Sequence, residues 1–301
     1  MSLGHISDEK TSMNWNAKGS RNICIASAGH AAFAASMITL GILGLINRNF
    51  APTWQPVPKS LPAREALAYL CNAISLLCGI GLLWRRTALM VARLLFAYLL
   101  LWLLLLRLPL IFVSPTVGIW WASCQTSAMT AAAWVLYAWF DRDLNRARLS
   151  FATGDNGIWM ARILYGLALI PFGIAHFIYL QVTADLVPPW LPAHVAWAYF
   201  TGYTFIAAGI AIVIGVYARL AAVLAILQMG LFTFLIWVPV LTHGANSHQR
   251  AEFIVSCALT AAGWVIADSY NGLPWLVQGK RRTQLCQNMA IDNLPTPHRN
   301  S

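Results

Sequence analysis

Residues 187–200 read Val187-Pro188-Pro189-Trp190-Leu191-Pro192-Ala193-His194-Val195-Ala196-Trp197-Ala198-Tyr199-Phe200. An earlier stretch answers them: Val57-Pro58-Lys59-Ser60-Leu61-Pro62-Ala63-Arg64-Glu65-Ala66-Leu67-Ala68-Tyr69-Leu70, at a constant offset of 130 residues. Over positions 57–80, ten of 24 residues equal their partners, against about two expected from apolar composition alone. The same offset sets residues 128–135 against 258–265, with six of eight identical, and Pro109 against Pro239. The chain reads as one unit written twice.

Composition decides the solvent of that unit. Apolar residues are 59% of the chain and charged residues 10%. Apolar runs fall at about 23–46, 65–84, 88–106 and 119–140, then at 159–179, 194–216, 220–240 and 252–267. Runs of this length cross a hydrocarbon core as helices, because lipid offers free backbone N–H and C=O groups no partner. The expected fold is an all-α integral membrane protein, with eight transmembrane helices arranged as two tandem parallel four-helix bundles. The expected division is a cytoplasmic N-terminal segment (1–22), a first repeat (23–140), a cytoplasmic linker (141–158), a second repeat (159–267) and a basic cytoplasmic tail (268–301).

The net charge of +10 follows from positive-inside bias rather than from affinity for nucleic acid. Thirteen Lys and Arg flank one side of the spans and five the other, which places both termini in the cytoplasm. With four spans per unit, both units insert the same way up and are parallel repeats. Residues 1–22 are polar and form no cleavable signal, so the first apolar run acts as an uncleaved anchor. The six cysteines form no CxxC pair, and Cys71 and Cys78 lie about 10.5 Å apart along one helix face, too far for a disulfide. They read as packing residues. The first outer loop of each unit, residues 50–58 and 186–192, is rich in Pro and Trp. Each forms either a lid over the bundle or an interfacial anchor.

Gly173-Ile174-Ala175-His176-Phe177, the 186–192 stretch, Trp197-Ala198-Tyr199-Phe200-Thr201-Gly202, Ala208-Gly209-Ile210-Ala211 and Arg219-Leu220-Ala221 resemble the DoxX-like family of small four-helix membrane proteins. The resemblance covers most of residues 159–267 and, through the repeat, extends more weakly over 30–140. It implies a multi-pass protein of the bacterial inner membrane, associated with a quinone- or sulfur-linked redox system. It carries over no catalytic motif. In the first unit the Gly-x-x-His-Phe element reads Gly44-Leu45-Ile46-Asn47-Arg48, at an offset of 129, without the histidine.

Polar groups inside membrane spans are costly and are functional candidates by default. Those at the outer end of the second unit form the candidate pocket: His176, Asp185, Trp190, His194, Trp197, Tyr199 and Glu252. A quinone site would use His176 or His194 on a ring oxygen, Asp185 or Glu252 as proton acceptor, and Trp190 or Trp197 against the ring. A metal would draw on His176, His194, His243, His248 and Glu252, but their spacing matches no metal motif, so no metal is expected. His30 and His176 differ by roughly 15 Å in depth, which argues against a haem between them. Arg93, Arg107 and Arg162 are expected to snorkel to the headgroups, and Gln228 to bond across to a neighbouring helix. No nucleotide-binding loop or nucleophile–base pair is present. Three roles remain open: a quinone-interacting redox subunit, a non-catalytic assembly or stress partner of another membrane protein, and a small-molecule or lipid transporter.

Overall fold

The apolar runs fold as helices, and no strand occurs among the described residues. The computed structural model describes residues 24–50, 55, 57, 61–142, 152–242, 244 and 246–276. The N-terminal segment 1–22, residues 143–151 of the linker, His243 and the tail beyond residue 276 lie outside them, as does the His248 side chain. The helices are α1 (Ala28–Asn47), α2 (Arg64–Leu82), α3 (Ala88–Val113), α4 (Val117–Arg142), α5 (Gly154–Ile178), the short α6 (Leu180–Asp185), α7 (His194–Ile214), α8 (Ala218–Thr242) and α9 (Ser247–Asp268). Residues 154–158, read as linker, belong to α5.

Seven of these helices are long and apolar enough to cross a membrane, and the chain is a multi-pass α-helical membrane protein. The long helix outside that set is α4. Its sequence carries Ser123, Gln125, Thr126, Ser127 and Thr130, all buried or half-buried. The hydroxyls return to the carbonyl one turn back, as in Ser123 to Ile119 (2.7 Å) and Thr130 to Thr126 (2.7 Å), which satisfies them without water. Protein rather than lipid surrounds α4: it packs against α3, α5 and α9. A helix walled by protein needs small residues more than hydropathic ones.

Element boundaries repeat. Helices α2 and α7, α3 and α8, and α4 and α9 each begin 130 residues apart. So do two π-helical segments, Leu103–Arg107 in α3 and Thr233–Trp237 in α8. Each stands just before a proline, Pro109 or Pro239. Proline lacks the N–H for the carbonyl four residues back and clashes with it, and a widened turn relieves both. Ala63 and Ala193, the residues before α2 and α7, both hold left-handed backbone (φ 54° and 59°). That conformation is strained for any residue with a Cβ. Ala193→Gly is therefore expected to stabilise the protein by about 0.5–1 kcal/mol, read as a higher unfolding midpoint in detergent.

The halves do not lie side by side as two separate bundles. Helix α1 packs on α2 and on α9, whereas α5 packs on α7 and on α4. The opening helix of each half thus rests on the closing helix of the other, with α4 against α9 at the centre. One buried core runs from Cys24 to Tyr270 through both halves. The bundle has a proximal end, where Gly29 N–H donates to Asp268 Oδ2 (3.2 Å) and Cys24 N–H to Leu83 O (2.8 Å). The 178–194 connection lies at the opposite, distal end.

Candidate functional site

In the second half the helices part around a cavity of about 790 Å3. Its walls come from α5, α7, α8 and α9, and α4 adds Trp121 and Gln125. Leu186, Val187, Pro188, Trp190 and Leu191 line its distal end, so the Pro-Trp stretch covers that mouth. Along one side Phe200, Leu224, Leu227 and Leu231 line it and are themselves exposed on the outer surface. The cavity therefore opens sideways, between α7 and α8, onto the surface that faces lipid.

His176 sits in this wall and is 4% exposed. Aromatic rings box it in: Trp121 (6.1 Å, 11° between planes), Phe232 (6.0 Å, 16°) and Phe205 (5.4 Å, 54°). Its Nδ1 lies 2.7 Å from the Phe172 carbonyl oxygen. A carbonyl only accepts, so Nδ1 carries the proton and Nε2 of the neutral ring holds a lone pair.

Several hydroxyls in and beside this wall, and the Gln228 amide, bond within the protein. Thr201 donates to Trp197 O (2.9 Å) and Thr204 to Gln228 Oε1 (2.5 Å). Gln228 Nε2 donates to Thr201 O (3.0 Å), tying α8 to α7 as its mid-span position predicted. Thr233 donates to Met229 O (2.9 Å) and stands 2.7 Å from Ser256 Oγ. Gln125, 5% exposed, keeps a buried Oε1 with no partner among the described residues. The lining is mainly apolar, and it carries the His176 imidazole as an acceptor beside groups that can donate, the Gln125 amide and the indoles of Trp121, Trp190 and Trp197.

Of the sequence candidates, His176, Trp190, Trp197 and Glu252 line the cavity. The other three do not. Asp185 is exposed at the end of α6 and accepts from Gln181 Nε2 (2.8 Å). His194 is half-buried at the first residue of α7. Tyr199 lies on another face of α7, against Phe177 (5.8 Å) and Tyr203 (6.5 Å). Two residues separate it from Trp197, which turns a helix through about 200°. Among the residues missed are Phe205 and Phe232, which pack on His176, and Trp121 and Gln125, which come from the other half. A glutamine within an apolar helix was the available signal for Gln125.

Elsewhere the arginines correct the snorkelling expectation. Arg162 is 7% exposed, donates to Ser269 Oγ (2.9 Å) and to its carbonyl, and lies 3.8 Å over the Tyr270 ring. Arg107 is 4% exposed, and its Nε has no hydrogen-bond partner among the described residues. Of the three, Arg93 alone is exposed. A buried guanidinium short of acceptors is a net cost. Arg107→Met should raise stability by about 1–3 kcal/mol, and an unchanged or lower unfolding midpoint would contradict that.

His30 is fully buried at the proximal end, edge-on to Phe140 (5.4 Å). No cluster of three His, Cys, Asp or Glu placed to hold a metal occurs among the described residues. Comparison with family models, with curated proteins and with solved structures finds no match to this chain.

Proposed function

We propose that this chain is a DoxX-like protein of the bacterial inner membrane whose second half binds a lipophilic ring-bearing molecule of the quinone class. In this reading a four-helix unit was duplicated, all eight long helices span the bilayer, and both termini are cytoplasmic. The shared offset of helix starts, π segments and left-handed alanines supports duplication. The burial of α4 in protein accounts for its modest hydropathy. The protein acts as an accessory subunit that presents the ligand to a partner redox enzyme.

One observation carries the ligand reading: an apolar cavity of about 790 Å3, open to the lipid-facing surface, with a ring-boxed imidazole in its wall. That volume lies within the roughly 300–1,000 Å3 range of small-molecule sites. A quinone has ring carbonyls, which accept; its reduced form has hydroxyls, which donate. His176 Nε2 accepts, so it pairs with a hydroxyl of the hydroquinone form.

The test is a lipid extract and spectrum of detergent-purified protein, parent against His176→Ala. The parent is expected to retain a quinone-class lipid, and the variant to retain about tenfold less, the effect of losing one buried hydrogen bond. Added decyl-benzohydroquinone should bind at least about tenfold more tightly than its dimethyl ether, which cannot donate. Extracts free of any ring-bearing lipid, with no binding of the added hydroquinone, would end this reading. A lipid carrier would instead show flux of the molecule across proteoliposomes.

A further inference from the structure

The first half has the same wall, but the wall is covered. Phe50 is 4% exposed and Gln55 is 3% exposed. With Val57 they pack onto Leu67, Ala68, Cys71, Tyr98, Trp102 and Leu106. Add 130 to each of those six wall positions and the result is Trp197, Ala198, Thr201, Gln228, Phe232 and Ile236. All six line the second-half cavity.

The manner of filling also corresponds. Phe50 sets its ring edge-on to Trp102 (6.2 Å, 65°), the counterpart of Phe232. Gln55 Nε2 donates to Tyr98 Oη (2.5 Å), the counterpart of Gln228. A ring and a hydrogen-bond donor thus occupy the place where the second half presents an aromatic wall and the polar side chain of Gln228. The entry to this filling is pinned. Arg64 donates to Asn49 Oδ1 (2.9 Å) and lies 5.3 Å over Phe50, and Asn72 Nδ2 donates to Asn49 O (2.8 Å). The positions 130 residues on from Asn49, Arg64 and Asn72 are Tyr179, His194 and Gly202, which cannot repeat those pins.

We infer that the first half contains a second copy of the ligand site, held shut by the chain's own Phe50 and Gln55 acting as a built-in ligand. The ligand class is that of the open cavity, so this inference rests on the reading above for its chemistry. The existence of the filled space does not. The chain binds one molecule, at the second half, and removing the two side chains opens a site for another. In that site the ring would lie against Trp102 and its hydroxyl would meet Tyr98.

Cys71 tests the space without any ligand. It is 5% exposed beneath the filling, and Cys78 (2%) and Cys124 (6%) are equally buried elsewhere. Parent and Phe50→Ala/Gln55→Ala proteins are treated in detergent with monobromobimane, and each cysteine is followed by mass spectrometry. Cys71 is expected to react at least about tenfold faster in the variant, with Cys78 and Cys124 unchanged as proof of an intact bundle. The volume-conserving Phe50→Leu/Gln55→Met protein should stay slow. Titration with decyl-benzohydroquinone should then give about one equivalent in the parent and about two in the alanine variant.

Cys71 reactivity that rises no more than that of Cys78 and Cys124 overturns the filled copy, whatever binds. A faster Cys71 with one equivalent still bound overturns the second site. If neither protein binds the hydroquinone, the ligand class falls, and the thiol rates still decide whether the copy is there.

Discussion

Gly209→Leu is expected to leave almost no recoverable folded protein, because no space for a side chain exists where α5 crosses α7. A Cβ on Gly209 would lie 2.6 Å from the Gly166 carbonyl oxygen and 2.9 Å from Ile170 Cγ1. On Gly166 it would lie 3.0 Å from Gly209 O, and two turns away Gly173 and Gly202 meet in the same reciprocal way. The obstacle is largely backbone, which cannot rotate aside. The helices must separate along their whole contact, and in lipid that contact is most of what holds them together. Overpacking of a yielding core costs about 1–3 kcal/mol; a crossing that cannot yield should exceed about 3 kcal/mol. Gly230→Ala is the control, since a Cβ there meets only Thr260 Cγ2 at 3.7 Å. It should match the parent or exceed it slightly through helix propensity. The measurement is the monodisperse fraction on size exclusion and its thermal midpoint. A Gly209→Leu protein indistinguishable from the parent would mean that α5 and α7 do not cross on these glycines.

The same crossing explains how much of the fold was readable beforehand. Long apolar runs and the 130-residue offset located the helices, because hydropathy and repetition are local properties of a chain. Which helix rests on which is not local. The halves interlock through α1 on α9 and α5 on α4, and no periodicity within one helix encodes that pairing. The candidate site shows the same division. His176, Trp190, Trp197 and Glu252 line the cavity, having been read from depth and end position. Tyr199 was grouped with Trp197 although a helix offers a cavity one face, and Asp185 was turned outward by the short α6. Trp121 and Gln125 escaped notice because they come from the other half. Burial of Arg107 and Arg162 was likewise invisible, since a long basic side chain near a span end looks the same in sequence whether it reaches water or turns inward.

Gln125 gives the sharpest separation of stability from function, because its two expected effects have opposite signs. Its Oε1 is buried and has no partner among the described residues. An unmet buried acceptor costs about 1–3 kcal/mol, so Gln125→Leu, close in volume and without that acceptor, should raise stability by an amount in that range. The residue, though not this atom, lines the cavity wall, so a hydroxyl-bearing ring in place would draw the amide oxygen toward it and supply the missing hydrogen bond. The variant should therefore bind decyl-benzohydroquinone about tenfold more weakly, one hydrogen bond's worth of affinity, and should bind the dimethyl ether as the parent does. Most substitutions that weaken binding also loosen the fold; a residue held in place for its ligand does the reverse. His176→Ala cannot make this distinction, since it also removes a ring packed among Trp121, Phe205 and Phe232 and should cost stability and binding together. A Gln125→Leu protein that is more stable and binds equally well would leave the cavity intact but remove the α4 contribution to it. One that is less stable would show that Oε1 was satisfied all along.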